Sequence, residues 1–189
     1  NPKSAPWYLL AFAAGNLIGP LTIGRLFDTI GRKKMIAGTY ILSGALLAVS
    51  AELFREGRLN AQTQTIWWAV IFFFASAGAS AAYLTVSEIF PLEIRAQSIA
   101  VFFAIAQCFG FLGPHIYGHL IGNGQDHFKL FVAYLIGAAV MVVGGVVEIF
   151  LGVAAERKSL EDVAHPISAV LRVPDLGMGR GAPGAAPAR

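Results

Sequence analysis

Oppositely charged residues cluster in two short segments of this chain, and their types allow ion pairs. The first segment, GRLFDTIGRKK, carries Asp28 and Arg32 four positions apart. The second segment, SEIFPLEIR, carries Glu88 and Arg95 on either side of Pro91. Carboxylates and guanidinium groups form charge-assisted hydrogen bonds, so these segments can bind each other. No nucleophile with an adjacent base and no glycine-rich nucleotide loop is evident in the sequence, so we expect no enzyme activity.

The elements that must position these charges are five long apolar stretches. Of the 189 residues, 56% are hydrophobic and 13% are charged, whereas soluble domains carry roughly 25% charged residues. A hydrocarbon core about 30 Å thick requires a helix of roughly 20 apolar residues. The stretches that meet this requirement are residues 7–27, 35–54, 65–90, 96–121 and 128–153. The sequence therefore predicts an all-α integral membrane protein with five transmembrane helices in a lipid bilayer.

Basic residues are distributed unequally between the two ends of these helices. Positive charge is retained on the cytoplasmic side of membrane proteins. The side reached after the first, third and fifth stretches carries ten basic residues: Arg25, Arg32, Lys33, Lys34, Arg95, Arg157, Lys158, Arg172, Arg180 and Arg189. The other side carries four: Lys3, Arg55, Arg58 and Lys129. We therefore expect a multi-pass protein of the cell membrane with its N-terminus outside and its C-terminus cytoplasmic, and no nucleic-acid partner despite the net charge of +3.

Three segments are expected to lie outside the five-helix bundle of residues 7–153. Residues 1–6 form an outer N-terminal segment, and residues 154–173 form a charged cytoplasmic segment. Residues 174–189 are rich in Gly, Pro and Ala, a composition that favours disorder. The chain begins with asparagine rather than methionine, which we interpret as a sign that it is a fragment of a longer protein.

The first charged segment resembles the loop signature of the major facilitator superfamily, G-x-L-x-D-x-x-G-R-[KR]. The matching residues are Gly24, Leu26, Asp28, Gly31, Arg32 and Lys33. Thr29 stands where the pattern usually has arginine. The resemblance implies that this segment joins two transmembrane helices at the cytoplasmic face.

The second charged segment is similar to the E-x-x-P-x-x-x-R element of the sugar porter branch of that family. Glu88, Pro91 and Arg95 carry the match. In residues 155–163, AERKSLEDV is similar to the branch's closing segment P-E-T-K-G-x-S-L-E-E, with Ala155 in place of proline and two residues missing. With three motifs in order, the chain is identified as a member whose five helices correspond to helices eight to twelve of a twelve-helix carrier, most of its C-terminal bundle.

This resemblance implies a secondary active or facilitative carrier that alternates between outward-open and inward-open states. Its partners are then a small polar solute (a sugar, polyol or organic acid) and the missing N-terminal helices of the same carrier. Solute identity stays open, because residues 78–82 read GASAA where sugar porters have a proline-rich element. The choice between proton symport and uniport also stays open, because the residues that usually decide it in the family lie in the missing helices. The charges implied to act as a cytoplasmic gate are Asp28, Arg32, Glu88, Arg95 and Glu156.

Polar side chains inside the predicted helices are the candidates for a solute path. They are Asn16, Tyr83 and Gln107. An amide in hydrocarbon needs a partner or water, so contact with the solute and hydrogen bonding between helices both stay open. His115 and His119 have the spacing of a metal-binding pair, but no third ligand is evident, so we expect no metal and no cofactor.

A different class of function also stays open. The same helix bundle could belong to a non-transporting membrane remnant or to an assembly subunit. Seven further helices encoded upstream would favour the carrier, whereas a start codon beside Asn1 would favour the alternative.

Overall fold

The computed structural model describes residues 5–122 and 126–154, which form five α-helices. They are α1 (Ala5–Ile30), α2 (Arg32–Arg55), α3 (Ala61–Ile89), α4 (Arg95–Ile121) and α5 (His127–Leu151). All five are long and apolar enough to cross a membrane. The expected all-α membrane fold with five spanning helices is confirmed.

The connection between α1 and α2 is much shorter than the charged sequence suggests. Residues 25–34 look like a loop in the sequence, yet α1 continues to Ile30 and α2 begins at Arg32. Gly31 alone separates them, with φ 116° and ψ 132°, a conformation that a residue with a Cβ rarely adopts. The charged residues on either side therefore belong to helices, which fixes their spacing.

The other helix ends also depart slightly from the predicted spans, for local reasons. α3 begins at Ala61 and not at residue 65, because the Asn60 side chain accepts hydrogen bonds from the backbone N–H groups of Gln62 and Thr63 at 3.0 and 2.9 Å. Such a cap stabilises a helix by about 1 kcal/mol. α5 ends at Leu151 and not at residue 153, because Gly152 is extended with ψ 143°.

Glycines set the closest contacts between the helices. α2 packs along both α5 and α3, and α1 packs along α3. Gly15 and Gly19 of α1 lie directly against the backbone of Ala69 and Phe73 in α3. Since lipid supplies no hydrophobic driving force between helices, close backbone approach at small residues is what holds such a bundle together.

The α2–α5 contact has a glycine on each side. A Cβ added to Gly44 of α2 would lie 2.9 Å from the carbonyl oxygen of Ala138. A Cβ added to Gly145 of α5 would lie 2.9 Å from the carbonyl oxygen of Ala37. Neither glycine can therefore gain a side chain without displacing a neighbouring backbone.

Helix α4 lies at the edge of this arrangement. It has no buried residue and makes only a few contacts, with α5 and α3. A Cβ added to Gly113 or Gly118 would meet nothing within 4 Å. Among the described residues, the other four helices thus leave most of the surface of α4 uncovered.

The bundle has two ends with different chemistry. We call the end that contains residues 25–34 and 88–95 the charged end. The opposite end, where α2 connects to α3, is called the aromatic end because Phe54, Trp68 and Tyr134 meet there. Tyr134 is edge-on to both Phe54 and Trp68, with ring centroids 5.8 and 6.1 Å apart.

Candidate functional site

Arg32 connects three helices at the charged end. Its Nε and Nη2 atoms each lie 3.3 Å from Oδ1 of Asp28. Its Nη1 atom is paired with the carboxylate of Glu88. Asp28 belongs to α1, Arg32 opens α2, and Glu88 lies near the end of α3. One guanidinium group therefore bridges carboxylates from the two helices on either side of its own in the sequence.

The pairs that Arg32 forms with Asp28 and with Glu88 differ in their access to solvent. The side chains of Arg32, Glu88 and Asp28 are 14%, 25% and 63% exposed. An exposed pair such as Arg32–Asp28 contributes only about 0–1 kcal/mol. The Arg32–Glu88 pair is more shielded and is screened less by salt. It is therefore the contact whose loss should matter most at this end of the bundle.

A small crevice of about 140 Å³ opens beside this cluster, between α1 and α3. Asp28 and Arg32 line it together with Gly24, at which an added Cβ would meet nothing within 4 Å. Leu26 is 41% exposed and is not among the crevice residues. Gly31 supplies the turn. Lys33 is half-buried in the first turn of α2.

Arg95 binds a backbone carbonyl at the charged end and not a carboxylate. Its Nε and Nη2 atoms both donate to the carbonyl oxygen of Phe90, each at 3.2 Å. The N–H of Ile94 donates to the carbonyl of Pro91 at 3.2 Å and closes the turn between them. Phe90 is extended, with φ −103° and ψ 139°, as expected of a residue before proline. Arg95 thus stabilises the α3–α4 turn. Among the described residues it makes no ion pair with the Arg32 cluster, which consists of Asp28, Arg32 and Glu88. Glu156 lies outside the described residues.

The polar candidates for a solute path are not brought together among the described residues. Asn16 and Gln107 have exposed side chains, and the backbone carbonyl of Asn16 accepts a hydrogen bond from Ser76 Oγ at 2.8 Å. Tyr83 stacks on Phe103 of α4, with ring centroids 4.9 Å apart and the planes 12° from parallel. Tyr83 therefore contributes to one of the few contacts between α3 and α4.

A cavity at the aromatic end was not predicted from the sequence. Trp68, Tyr117 and Tyr134 contribute to its walls. Aromatic residues near the ends of membrane helices are typical interfacial anchors, so their number alone gave no reason to expect a cavity. Only the packing of the helices shows that these rings share one space.

A family model described as Major Facilitator Superfamily matches residues 1–177. The match includes all five helices and the charged end. No curated protein and no solved structure matches the chain.

Proposed function

Because the chain belongs to the major facilitator superfamily, whose members are transporters and not enzymes, we propose that it is part of a carrier for a small polar solute of the sugar, polyol or organic acid class. Transport is secondary active or facilitative and proceeds by alternating access. The sugar porter–like motifs at residues 87–95 and 155–163 support this branch of the family. The five helices are helices eight to twelve of the carrier.

The observation that carries this proposal is the double pairing of Arg32. The pairs with Asp28 and Glu88 tie the ends of α1, α2 and α3 together at one end of the bundle. A carrier needs contacts that hold one end closed in one state and break in the other. States that differ by a few kcal/mol can be shifted by two such pairs. The Arg32 cluster is therefore a gate that acts on the balance between states and not on the solute.

The charged end faces the cytoplasm in this proposal. Arg25, Lys33 and Lys34 are exposed or half-buried and lie within three residues of Asp28 or Arg32 in the sequence, and positive charge near membrane helices is retained inside. The N-terminus then lies outside and the C-terminus inside, in the cell membrane.

The five helices need further helices of the same carrier to form a complete solute path. Asn16 and Gln107 expose polar side chains on membrane-spanning helices, where lipid would leave an amide unsatisfied. If the N-terminal half of the carrier packed over these helices, Asn16 and Gln107 would line an interior path.

A charge exchange tests the gate. In cells expressing the complete gene product, Arg32→Glu and Glu88→Arg should each lower the initial uptake rate about tenfold, which corresponds to about 1.4 kcal/mol. The double variant should recover part of the loss, because the attraction is restored with its sign reversed. Recovery is partial because the new glutamate at position 32 also faces Asp28. Adding Asp28→Asn should improve it.

Arg25→Glu is the matched control for this exchange. It makes the same change of charge at the same end, at an exposed residue that forms no ion pair among the described residues. Uptake is corrected for the amount of protein in the membrane. Normal uptake in both single variants, or a loss as large in Arg25→Glu, would reject the gate. It would leave these charges as topology determinants, as expected of a non-transporting assembly subunit.

A further inference from the structure

A half-open cavity of about 300 Å³ lies at the aromatic end of the bundle, with walls from all five helices. Five of the residues around it are aromatic: Phe12, Trp68, Phe72, Tyr117 and Tyr134. Phe12 and Phe72 pack edge to face with centroids 4.4 Å apart, and Trp68 is perpendicular to Tyr134. These ring pairs join α1 to α3 and α3 to α5, so the walls are built by contacts between helices.

These rings are not placed as membrane anchors. An interfacial anchor exposes its ring to the lipid headgroups, and Trp7 has the exposure this requires, with 72% of its surface accessible. Trp68 and Tyr134 are only partly exposed and contact each other edge to face at the cavity wall. Gly137 contributes to the space, because an added Cβ would lie 3.2 Å from both Leu47 Cδ2 and the Tyr117 hydroxyl.

The volume and the walls indicate a flat ring system as the occupant. An engineered apolar cavity of about 150 Å³ holds one benzene ring. A space of about 300 Å³ therefore has room for two fused rings. Aromatic walls favour an aromatic guest, because edge-to-face and offset contacts add to the burial of apolar surface.

Gln64 is a buried polar side chain close to the cavity walls. It lies one helical turn before Trp68 in α3 and is not itself one of the residues that line the cavity. It is only 8% exposed, and neither Nε2 nor Oε1 of its amide has a hydrogen-bond partner among the described residues. A buried amide without a partner is costly. A ligand with one hydrogen-bonding group at its outward edge would remove that cost.

We propose that the cavity is a binding site for a planar two-ring aromatic molecule that carries one hydroxyl or N–H group. The rings lie among Trp68, Phe72 and Tyr134, and the polar group points toward Gln64. The site is separate from the polar side chains of the solute path and from the charged end. Its ligand is accordingly a modulator and not the transported solute.

Fluorescence of Trp68 tests this site directly. The 189-residue chain with Trp7→Phe and Trp67→Phe keeps Trp68 as its only tryptophan. It is titrated in detergent micelles with 6-bromo-2-naphthol, whose bromine quenches tryptophan on contact. Quenching of Trp68 should saturate. A second version that keeps only the exposed Trp7 reports partitioning of the probe into the micelle and should show no saturation over at least a tenfold wider concentration range.

Variants of the cavity separate binding from general quenching. Ala133→Phe should fill the space and remove saturable quenching, and Gly137→Ala should weaken it at least fivefold. Gly144→Ala is the matched control on the same helix, because its added Cβ meets nothing within 4 Å. Circular dichroism and size exclusion verify that each variant is folded. If Ala133→Phe is unfolded, the Gly137→Ala and Gly144→Ala pair decides.

Two ligands, one with and one without a hydroxyl group, test the role of Gln64. The naphthol should bind at least fivefold more tightly than 2-bromonaphthalene, and Gln64→Leu should abolish that difference. Unsaturable quenching of Trp68, or equal quenching in the Gly137→Ala and Gly144→Ala variants, would overturn the site. Quenching of Trp68 by brominated phospholipid chains that the naphthol fails to displace would show that lipid fills the cavity and would also overturn it.

Discussion

Arg32 and Arg95 lie in neighbouring segments of the charged end, but Arg32 pairs with two carboxylates and Arg95 binds a backbone carbonyl. Asp28 precedes Arg32 by one helical turn, and residues four apart on a helix are neighbours. The pairing with Glu88 also follows an expectation, since both segments were predicted on the same face. Arg95 binds a backbone carbonyl, and no pattern of residue types marks a carbonyl as a partner.

Arg95→Ala is expected to act on stability before it acts on transport. It removes two hydrogen bonds to the Phe90 carbonyl at the end of α3, which should cost about 1–2 kcal/mol. The melting temperature of the purified chain in detergent should fall by a few degrees. Arg95→Lys should recover only part of this, because an ammonium group lacks the planar fork of donors. An unchanged melting temperature combined with a loss of uptake would instead place Arg95 in the gate.

At the level of helices, the apolar stretches predicted the number and type of the elements but not their ends. The length and apolarity of the stretches suffice to predict the number and type of the elements, because a bilayer requires both properties of a helix that crosses it. The ends depend on single residues such as Asn60, which caps α3, and Gly31, which alone separates two helices. Charged residues at helix ends resemble a loop in the sequence, although they can belong to a helix when their side chains are exposed to solvent.

The glycine contact between α2 and α5 gives a prediction for helix packing. Gly44→Val should destabilise the chain by about 1–3 kcal/mol, because its side chain would meet the Ala138 carbonyl and Val142 of α5. Gly38→Val introduces the same residue in the same helix, where nothing lies within 4 Å of an added Cβ. It should change stability by no more than about 0.5 kcal/mol. Thermal unfolding followed by circular dichroism in detergent measures both, and equal effects would contradict the packing.

At the level of the whole molecule, the sequence did not predict that α4 would be so weakly packed. Its apolarity is as high as that of buried neighbours, because lipid-facing and protein-facing surfaces are both apolar in membranes. What distinguishes α4 is that none of its residues is buried. In the proposed carrier, this exposed surface is where further helices pack.

The proposed orientation predicts which loops a membrane-impermeant thiol reagent can reach. In a Cys108→Ala background, a cysteine at Glu56, exposed between α2 and α3, should be labelled in intact cells. A cysteine at Ser168 should be labelled only after permeabilisation. The reverse pattern would place the charged end outside and would remove the cytoplasmic gate from the account.

Solute uptake into proteoliposomes shows whether the five helices are part of a carrier. The complete gene product and residues 1–189 alone are reconstituted in equal amounts and assayed with a panel of labelled sugars, polyols and organic acids. We expect saturable uptake of at least one solute by the complete product. We expect no uptake by residues 1–189, because Asn16 and Gln107 then lack the helices that would enclose a solute path. Saturable uptake by residues 1–189 alone, or no uptake of any solute by a folded complete product, would contradict this expectation.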